Sequence, residues 1–120
     1  MLEFEKLEVW QKAMDWVEHI YGVSSTFPRE ERFGLTSQLQ WAAVSIASNI
    51  AEGSGRVSDK DFARFVEVSY GSLMEAICQV RMAQRLGYLT EENLDKLQID
   101  AEELARMLSG FRGSLKESQK

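Results

Sequence analysis

The chain has 120 residues, of which 44% are hydrophobic and 28% charged, so we expect a single globular domain over residues 1–120. The net charge of −5 weighs against a protein that covers nucleic acid with a basic surface, but it does not exclude a local basic patch. The single cysteine, Cys78, excludes an internal disulfide and a zinc site made of cysteines.

No targeting or membrane signal is visible in the sequence. The first ten residues, MLEFEKLEVW, mix acidic with apolar side chains and lack the basic and apolar regions of a signal peptide. No apolar run in the chain approaches the roughly 18 residues that a membrane span needs. We therefore predict a cytoplasmic protein that does not contact a membrane.

The first predicted helix extends from about Phe4 to Val23 and carries two adjoining apolar seams at helical spacing. Together they form an apolar arc wider than one bundle core needs, and the second seam is interpreted as the surplus. The first seam comprises Leu7, Trp10, Met14, Val17 and Tyr21, and the second Val9, Ala13, Trp16 and Ile20.

The second predicted helix begins at Pro28 or Arg29, because proline fits the first turn, and ends at Glu52. Alanine and serine residues surround its core stripe, and such small side chains let a neighbouring helix come close. Gly53 is expected to close this helix in the left-handed conformation. The core stripe comprises Leu35, Leu39, Ala43, Ile46 and Ile50.

The third predicted helix extends from Asp59 to about Leu86, with Ser58 as its N-cap. It carries a core face and, beside it, a softer apolar stripe. The core face comprises Phe62, Val66, Leu73, Ile77 and Val80, and the softer stripe Met74, Cys78 and Met82.

The fourth predicted helix follows Gly87, which ends the third helix, and is capped by Thr90. Its apolar residues alternate steps of three and four without interruption, and the tail at about 116–120 is expected to fray. Four helices with short connections predict an all-α, up-and-down antiparallel four-helix bundle. The seam comprises Leu94, Leu97, Ala101, Leu104, Leu108, Phe111 and Leu115.

No residue pattern in the chain predicts catalysis. The sequence GSGR at residues 53–56 follows a helix rather than a strand and lacks the lysine of a phosphate-binding loop. Cys78 lies mid-helix and is interpreted as a small buried hydrophobic residue. The only histidine, His19, is expected to pair with Asp15 on a helix surface rather than to bind metal. We therefore predict no catalytic, cofactor-binding or metal-binding residues, and no enzyme.

Glu52 is expected to pair with Arg56. A carboxylate at the negative end of a helix is unfavourable by about 0.3–1 kcal/mol when it has no cation beside it, and Arg56 is the nearest cation in the sequence. The alternative is that both side chains face a ligand.

Several large apolar residues are candidates for contact between subunits. Trp41 has mostly polar helical neighbours, so it is either an interface anchor or a side chain tucked against the adjacent helix. The surplus seams favour contact between copies, because contiguous exposed apolar surface is rare in monomers. The candidate oligomer interface comprises Trp16, Trp41, Met74, Cys78 and Met82.

Basic residues cluster at Arg56, Lys60 and Arg64, which makes them candidate contacts for nucleic acid. Nearby acidic residues dilute this cluster, so ordinary solvated surface charge is the competing interpretation.

Four segments carry a resemblance to a known family: LEVWQKAMDWVEHIY, FPREERFGLTSQL, AAVSIASNIAEGSGR and KDFARFVEVSYGSLMEA. Over residues 2–90 the chain resembles the four-helix bundle proteins encoded by intervening sequences within bacterial 23S ribosomal RNA genes. The resemblance implies a ring-like homopentamer without catalytic residues. Relatives include a basic pentameric accessory protein of diversity-generating retroelements, which binds nucleic acid and a reverse transcriptase.

Four positions depart from that family's pattern. Gln40 and Trp41 stand where the family often has two arginines, which, with the net charge of −5, weighs against nucleic-acid binding. Ala47 replaces a common proline and Ile77 a frequent polar residue. The leading hypothesis is a non-enzymatic oligomeric bundle that acts as an interaction scaffold; the alternative is a nucleic-acid-binding accessory protein.

Overall fold

The computed structural model describes residues 1–118, which form four long α-helices and no strand. Short 3-10 segments at Glu3–Lys6 and Arg29–Glu31 precede the first and second of these helices. The all-α, up-and-down antiparallel bundle expected from the sequence is confirmed. The helices are α1 (Glu8–Ser24), α2 (Leu35–Ser54), α3 (Asp59–Arg85) and α4 (Glu91–Glu117).

The helices pack in chain order, and α4 closes the bundle against α1. The molecule measures 48 × 23 × 23 Å, long in one direction and equally narrow in the other two. One cluster of buried apolar side chains, contributed by all four helices, fills the space between them. The closed arrangement leaves each helix one face toward solvent.

The second seam of α1, expected to be surplus, forms the centre of its core face. Val9, Ala13 and Ile20 of the second seam are at most 5% exposed and form the core, whereas Met14 and Tyr21 of the first seam are 37% and 44% exposed. The expectation was wrong because both seams have helical periodicity, and periodicity alone does not tell which of two adjoining arcs points toward the bundle axis.

The helix α2 begins at Leu35, later than Pro28 or Arg29, because the chain first makes a separate 3-10 turn. Glu31 takes over the capping role that Gly34 has no side chain to perform: its Oε1 accepts a hydrogen bond from the Leu35 backbone N–H at 3.3 Å. The carboxylate thereby satisfies one of the unpaired N–H groups at the start of α2.

Gly53 was expected to end α2 in the left-handed conformation. It instead lies buried inside the helix. A Cβ atom at this position would lie 2.6 Å from Cβ of Phe65 and 2.8 Å from Cδ1 of Phe62, both on α3. The glycine is therefore needed for the close approach of two helices. Within residues 1–118 the positive φ belongs to Gly87, at 79°.

Gly87 ends α3 as predicted. The Tyr88 N–H bonds the Ala83 carbonyl at 2.9 Å and the Gly87 N–H bonds the Gln84 carbonyl at 3.0 Å, which together form a Schellman motif. The chain can turn sharply here because glycine adopts a positive φ without steric strain.

The predicted caps of α3 and α4 are confirmed: Ser58 Oγ accepts from the Asp61 N–H, and Thr90 Oγ1 from the Asn93 N–H, each at 3.1 Å. The tail at 116–120 was expected to fray, but α4 remains helical through Glu117. Residues 119–120 lie outside the described residues. All but one residue of the predicted α4 seam are buried, and Phe111 is half-buried.

Candidate oligomer interface

The helix α2 is almost free of charge along its entire length. Of its twenty residues, LTSQLQWAAVSIASNIAEGS, the one charged residue is Glu52 near the end. By contrast, α3 has eight charged residues among twenty-seven. A helix that faces water on one side normally carries charged side chains there, whereas depletion of charge is typical of the centre of protein–protein interfaces.

Trp41 projects from the uncharged face of α2 with 72% of its surface exposed. It borders a shallow groove toward α1, lined also by Tyr21, Gln40 and Val44. The sequence left two interpretations of Trp41 open. The one in which its side chain packs against a neighbouring helix of the same chain is wrong, because the ring is largely exposed. Tyr21 and Val44 were not predicted as site residues; the absence of charge along α2 was the signal that could have identified this face.

Met74, Cys78 and Met82 form a stripe on the outward face of α3, spaced one helical turn apart. Met74 is 39% and Met82 49% exposed, and the Cys78 thiol is free and exposed. The burial expected of Cys78 is therefore wrong, because Leu73, Ala76 and Val80 occupy the core-facing positions of this part of α3.

The prediction that Trp16 belongs to an oligomer interface is wrong, because the residue is not available to a second copy. It is 2% exposed, and its indole Nε1 donates a hydrogen bond to the Leu97 carbonyl at 3.1 Å. This bond joins α1 to α4 in the interior of the bundle. The tryptophan stabilises one folded chain because both its ring and its N–H are satisfied there.

Small polar side chains hold α2 and α3 close together beneath the candidate interface. Ser69 Oγ donates to the Ile46 carbonyl at 2.8 Å, and the hydroxyls of Ser45 and Ser72 lie 2.9 Å apart. These bonds satisfy polar groups in the seam between the helices. The bonds therefore join the two helices that carry the candidate interface.

The predicted ion pair is confirmed: an Arg56 nitrogen lies 3.7 Å from Glu52 Oε1. The guanidinium also lies over the Phe65 ring, 4.5 Å from its centre. Both charged side chains are substantially exposed, so the pair contributes at most about 1 kcal/mol.

The basic cluster is partly neutralised. Arg64 lies 3.5 Å from Asp61, and Arg56 is held by Glu52. Lys60 and Arg64 line a groove that also contains Glu67, whose carboxylate already accepts Lys116 at 3.2 Å. Nucleic-acid contact by Arg56, Lys60 and Arg64 stays a prediction.

The placement of titratable groups bears on the predicted absence of a metal site. Within the described chain no three histidine, cysteine or acidic residues are placed to hold a metal ion. His19 faces Lys96 and Asp100 of α4, in place of the expected pairing with Asp15. Burial lowers the pKa of His19, Lys96 lowers it further, and Asp100 opposes the change.

None of the four helices, as far as residue 118, combines the length and apolar character that crossing a membrane requires.

Comparisons with known proteins agree with this fold. A family model described as 23S rRNA-intervening sequence protein matches residues 5–110, which extends into α4. A crystal structure of a protein of unknown function from the S23 ribosomal protein family of Bacteroides thetaiotaomicron is 20% identical, with a TM-score of 0.80. The match covers 87% of this chain and 97% of that one and shows a shared fold. No curated protein matches the chain.

Proposed function

The chain belongs to the 23S rRNA-intervening sequence protein family, and on that premise we propose that it is a non-enzymatic homo-oligomer that acts as an interaction scaffold. The observation that carries the proposal is Trp41, 72% exposed on a helix with a single charged residue. Family resemblance gives five as the proposed number of subunits.

The proposed contact surface has the composition of an interface. Aromatic residues and methionine are enriched where proteins meet, and tryptophan is among the residues whose loss weakens binding most. Trp41 and the stripe of Met74, Cys78 and Met82 supply such side chains on α2 and α3. Covering them removes apolar area from water, and α2 contributes a single charged residue, Glu52.

The proposed location is the cytoplasm. The exposed Cys78 is a free thiol, and such a thiol persists in a compartment that keeps cysteines reduced.

Light scattering coupled to size-exclusion chromatography tests the proposal. We expect a mass near five times that of the 13.7 kDa chain at micromolar concentration. A mass of one chain would overturn self-association. Trp41→Ala is expected to lower the mass without changing the helix content, whereas Ile99→Ala, which shortens a similarly exposed apolar side chain on α4, leaves the mass unchanged.

Nucleic-acid binding is the second candidate function, supported by a groove that is lined by Lys60, Arg64 and Lys116 and contains one carboxylate, Glu67. Phosphate contacts of this kind release counterions, so binding weakens as salt rises. We expect a measurable affinity for single-stranded RNA or DNA at low salt that decreases with salt concentration and with Lys60→Gln. Undetectable binding at low salt eliminates this candidate.

A further inference from the structure

We propose that a cleft between α3 and α4 binds a small amino acid with an aliphatic side chain. The carboxylate of the ligand pairs with Arg81, its ammonium group pairs with Glu102, and its side chain enters the apolar interior of the cleft. The inference goes beyond the scaffold function and does not depend on the number of subunits.

The floor of the cleft is apolar and belongs to the core of the bundle. Its residues are at most 3% exposed, and half-buried Ile77 lines the cleft beside them. Ala101 is the one small residue of the apolar seam of α4, so the space that a leucine would occupy there stays open. The floor comprises Trp16, Val80, Leu97 and Ala101.

The size of the cleft favours a short aliphatic group. Its volume is about 60 Å³. A water molecule needs roughly 10–15 Å³ of such space and benzene fits an apolar cavity of about 150 Å³, so this cleft is too small for an aromatic ring. Water on the floor meets apolar side chains, and a short branched chain that displaces this water removes apolar surface from solvent.

The guanidinium of Arg81 is held at the rim of the cleft by two neutral amides. Its Nη1 donates to Gln84 Oε1 at 3.1 Å. The amide of Gln98, with its oxygen toward the guanidinium, accepts from Arg81 Nε at 3.2 Å and from Nη1 at 2.7 Å. Within residues 1–118 no carboxylate forms an ion pair with Arg81. The positive charge is therefore positioned without being neutralised, as a site for a carboxylate requires.

Glu102 brings a negative charge to the same cleft. It follows Gln98 by four residues on α4, which places it about 6 Å further along the helix axis. As far as residue 118, Glu102 forms no ion pair, with Arg81 or with any other cation. The separation leaves room for the two charged groups of one amino acid between these side chains.

The two rim charges together determine the class of ligand. A simple carboxylate would lie near the like charge of Glu102, and a simple amine near that of Arg81, and both arrangements are unfavourable. An amino acid satisfies both charges, and its aliphatic side chain reaches the floor from the carbon that carries them. A few polar groups that converge on an apolar cleft are typical of small-molecule sites.

Isothermal titration calorimetry with leucine tests the proposal. We expect a dissociation constant on the order of 1 mM, because so small a ligand makes few contacts. Isoamylamine has the same side chain without the carboxylate, and isocaproate has it without the ammonium group. Each should bind at least about tenfold more weakly than leucine.

Substitutions around the cleft provide matched comparisons. Arg81→Gln and Glu102→Gln each remove one charge from an exposed position and should weaken leucine binding at least about tenfold, with the helix content unchanged. Ile77→Trp should abolish binding, because the larger side chain fills the cleft. Arg64→Gln is the control, since it removes the same charge as Arg81→Gln about 25 Å away along α3 and should leave the affinity unchanged.

The indole of Trp16 reports on the floor directly. Its Nε1–H donates to the Leu97 carbonyl beneath the cleft. Leucine at saturation is expected to shift the NMR signal of this N–H and to leave that of exposed Trp41 unchanged. The two signals are assigned with Trp41→Phe.

Three results would overturn the proposal. The first is undetectable binding of leucine at about 10 mM, well above the expected dissociation constant. The second is binding that Arg81→Gln does not weaken, and the third is equal affinity for leucine and isocaproate, which would exclude a role for Glu102. None of these results concerns the mass of the assembly, so failure here is distinct from failure of the proposed function.

Discussion

The hydroxyl of Tyr88 donates a hydrogen bond to Glu31 Oε2 at 2.9 Å. Tyr88 lies in the connection between α3 and α4, and Glu31 in the connection between α1 and α2, so the bond joins two loops at one end of the bundle. The other oxygen of Glu31 accepts from the Leu35 N–H at the start of α2. One carboxylate therefore both caps a helix and fixes the position of a neighbouring loop.

This bond predicts a loss of stability in alkali. The hydrogen bond to Glu31 raises the pKa of Tyr88, and burial and the negative charge of Glu31 raise it further. A raised pKa in the folded state means that the stabilisation is complete below the unfolded value of about 10 and is lost as the pH rises through the folded value. We expect the melting temperature of the wild type to fall more steeply above about pH 10 than that of Tyr88→Phe.

The comparison with Tyr88→Phe is needed because Lys96 titrates in the same range. Its hydrogen bond with Asp100 raises the pKa of Lys96, and this effect is common to both proteins. Parallel melting curves of the two proteins across the alkaline range would show that the bond to Glu31 does not stabilise the fold.

A second loss of stability, in mild acid, is expected from the titration of His19. Burial lowers the pKa of His19 below 6.5, and the charge of Lys96 lowers it further. The folded protein therefore binds fewer protons than the unfolded chain near pH 6. Stability is therefore expected to fall as the pH decreases through about 6.5, until the folded value is passed. The free energy of unfolding of His19→Gln should depend less on pH between about 7 and 5; an identical dependence in both proteins contradicts the prediction.

Gly53→Ala is expected to destabilise the protein even though alanine is the better helix former. The added methyl would lie 2.6 Å from Cβ of Phe65, an atom fixed to the backbone of α3, so the helices must move apart. Overpacking of this kind costs about 1–3 kcal/mol, measured as the free energy of unfolding in urea. Gly110→Ala on α4 is the matched control: open space surrounds that position, and a gain of up to about 1 kcal/mol is expected. Equal effects of the two substitutions would refute the packing role of Gly53.

Substitutions of Trp16 and Trp41 should separate folding from assembly. Trp16→Ala removes a buried ring and its bond to the Leu97 carbonyl and is expected to cost about 3–5 kcal/mol. Trp41→Ala should change the free energy of unfolding of a single chain by no more than about 0.5 kcal/mol, because the ring is exposed. Urea unfolding at a concentration below that of assembly measures both. A large loss for Trp41→Ala would mean that the residue supports the fold of one chain.

The sequence alone was sufficient for features that depend on local periodicity and on capping chemistry. The seam of α4, the caps at Ser58 and Thr90 and the pair of Glu52 with Arg56 involve residues within a few turns of one another, whose spacing the helix fixes. The four helices and their antiparallel order follow from the same regularity and from the short connections.

Only the tertiary structure decided which side of each helix faces the interior, because that depends on neighbours distant in the sequence. Trp16 is buried because Leu97 lies opposite it on α4, Gly53 is a packing residue because Phe65 approaches from α3, and Cys78 is exposed because other residues fill the core side of α3. The sequence sets the period of an apolar arc, whereas the helices packed around it set its direction.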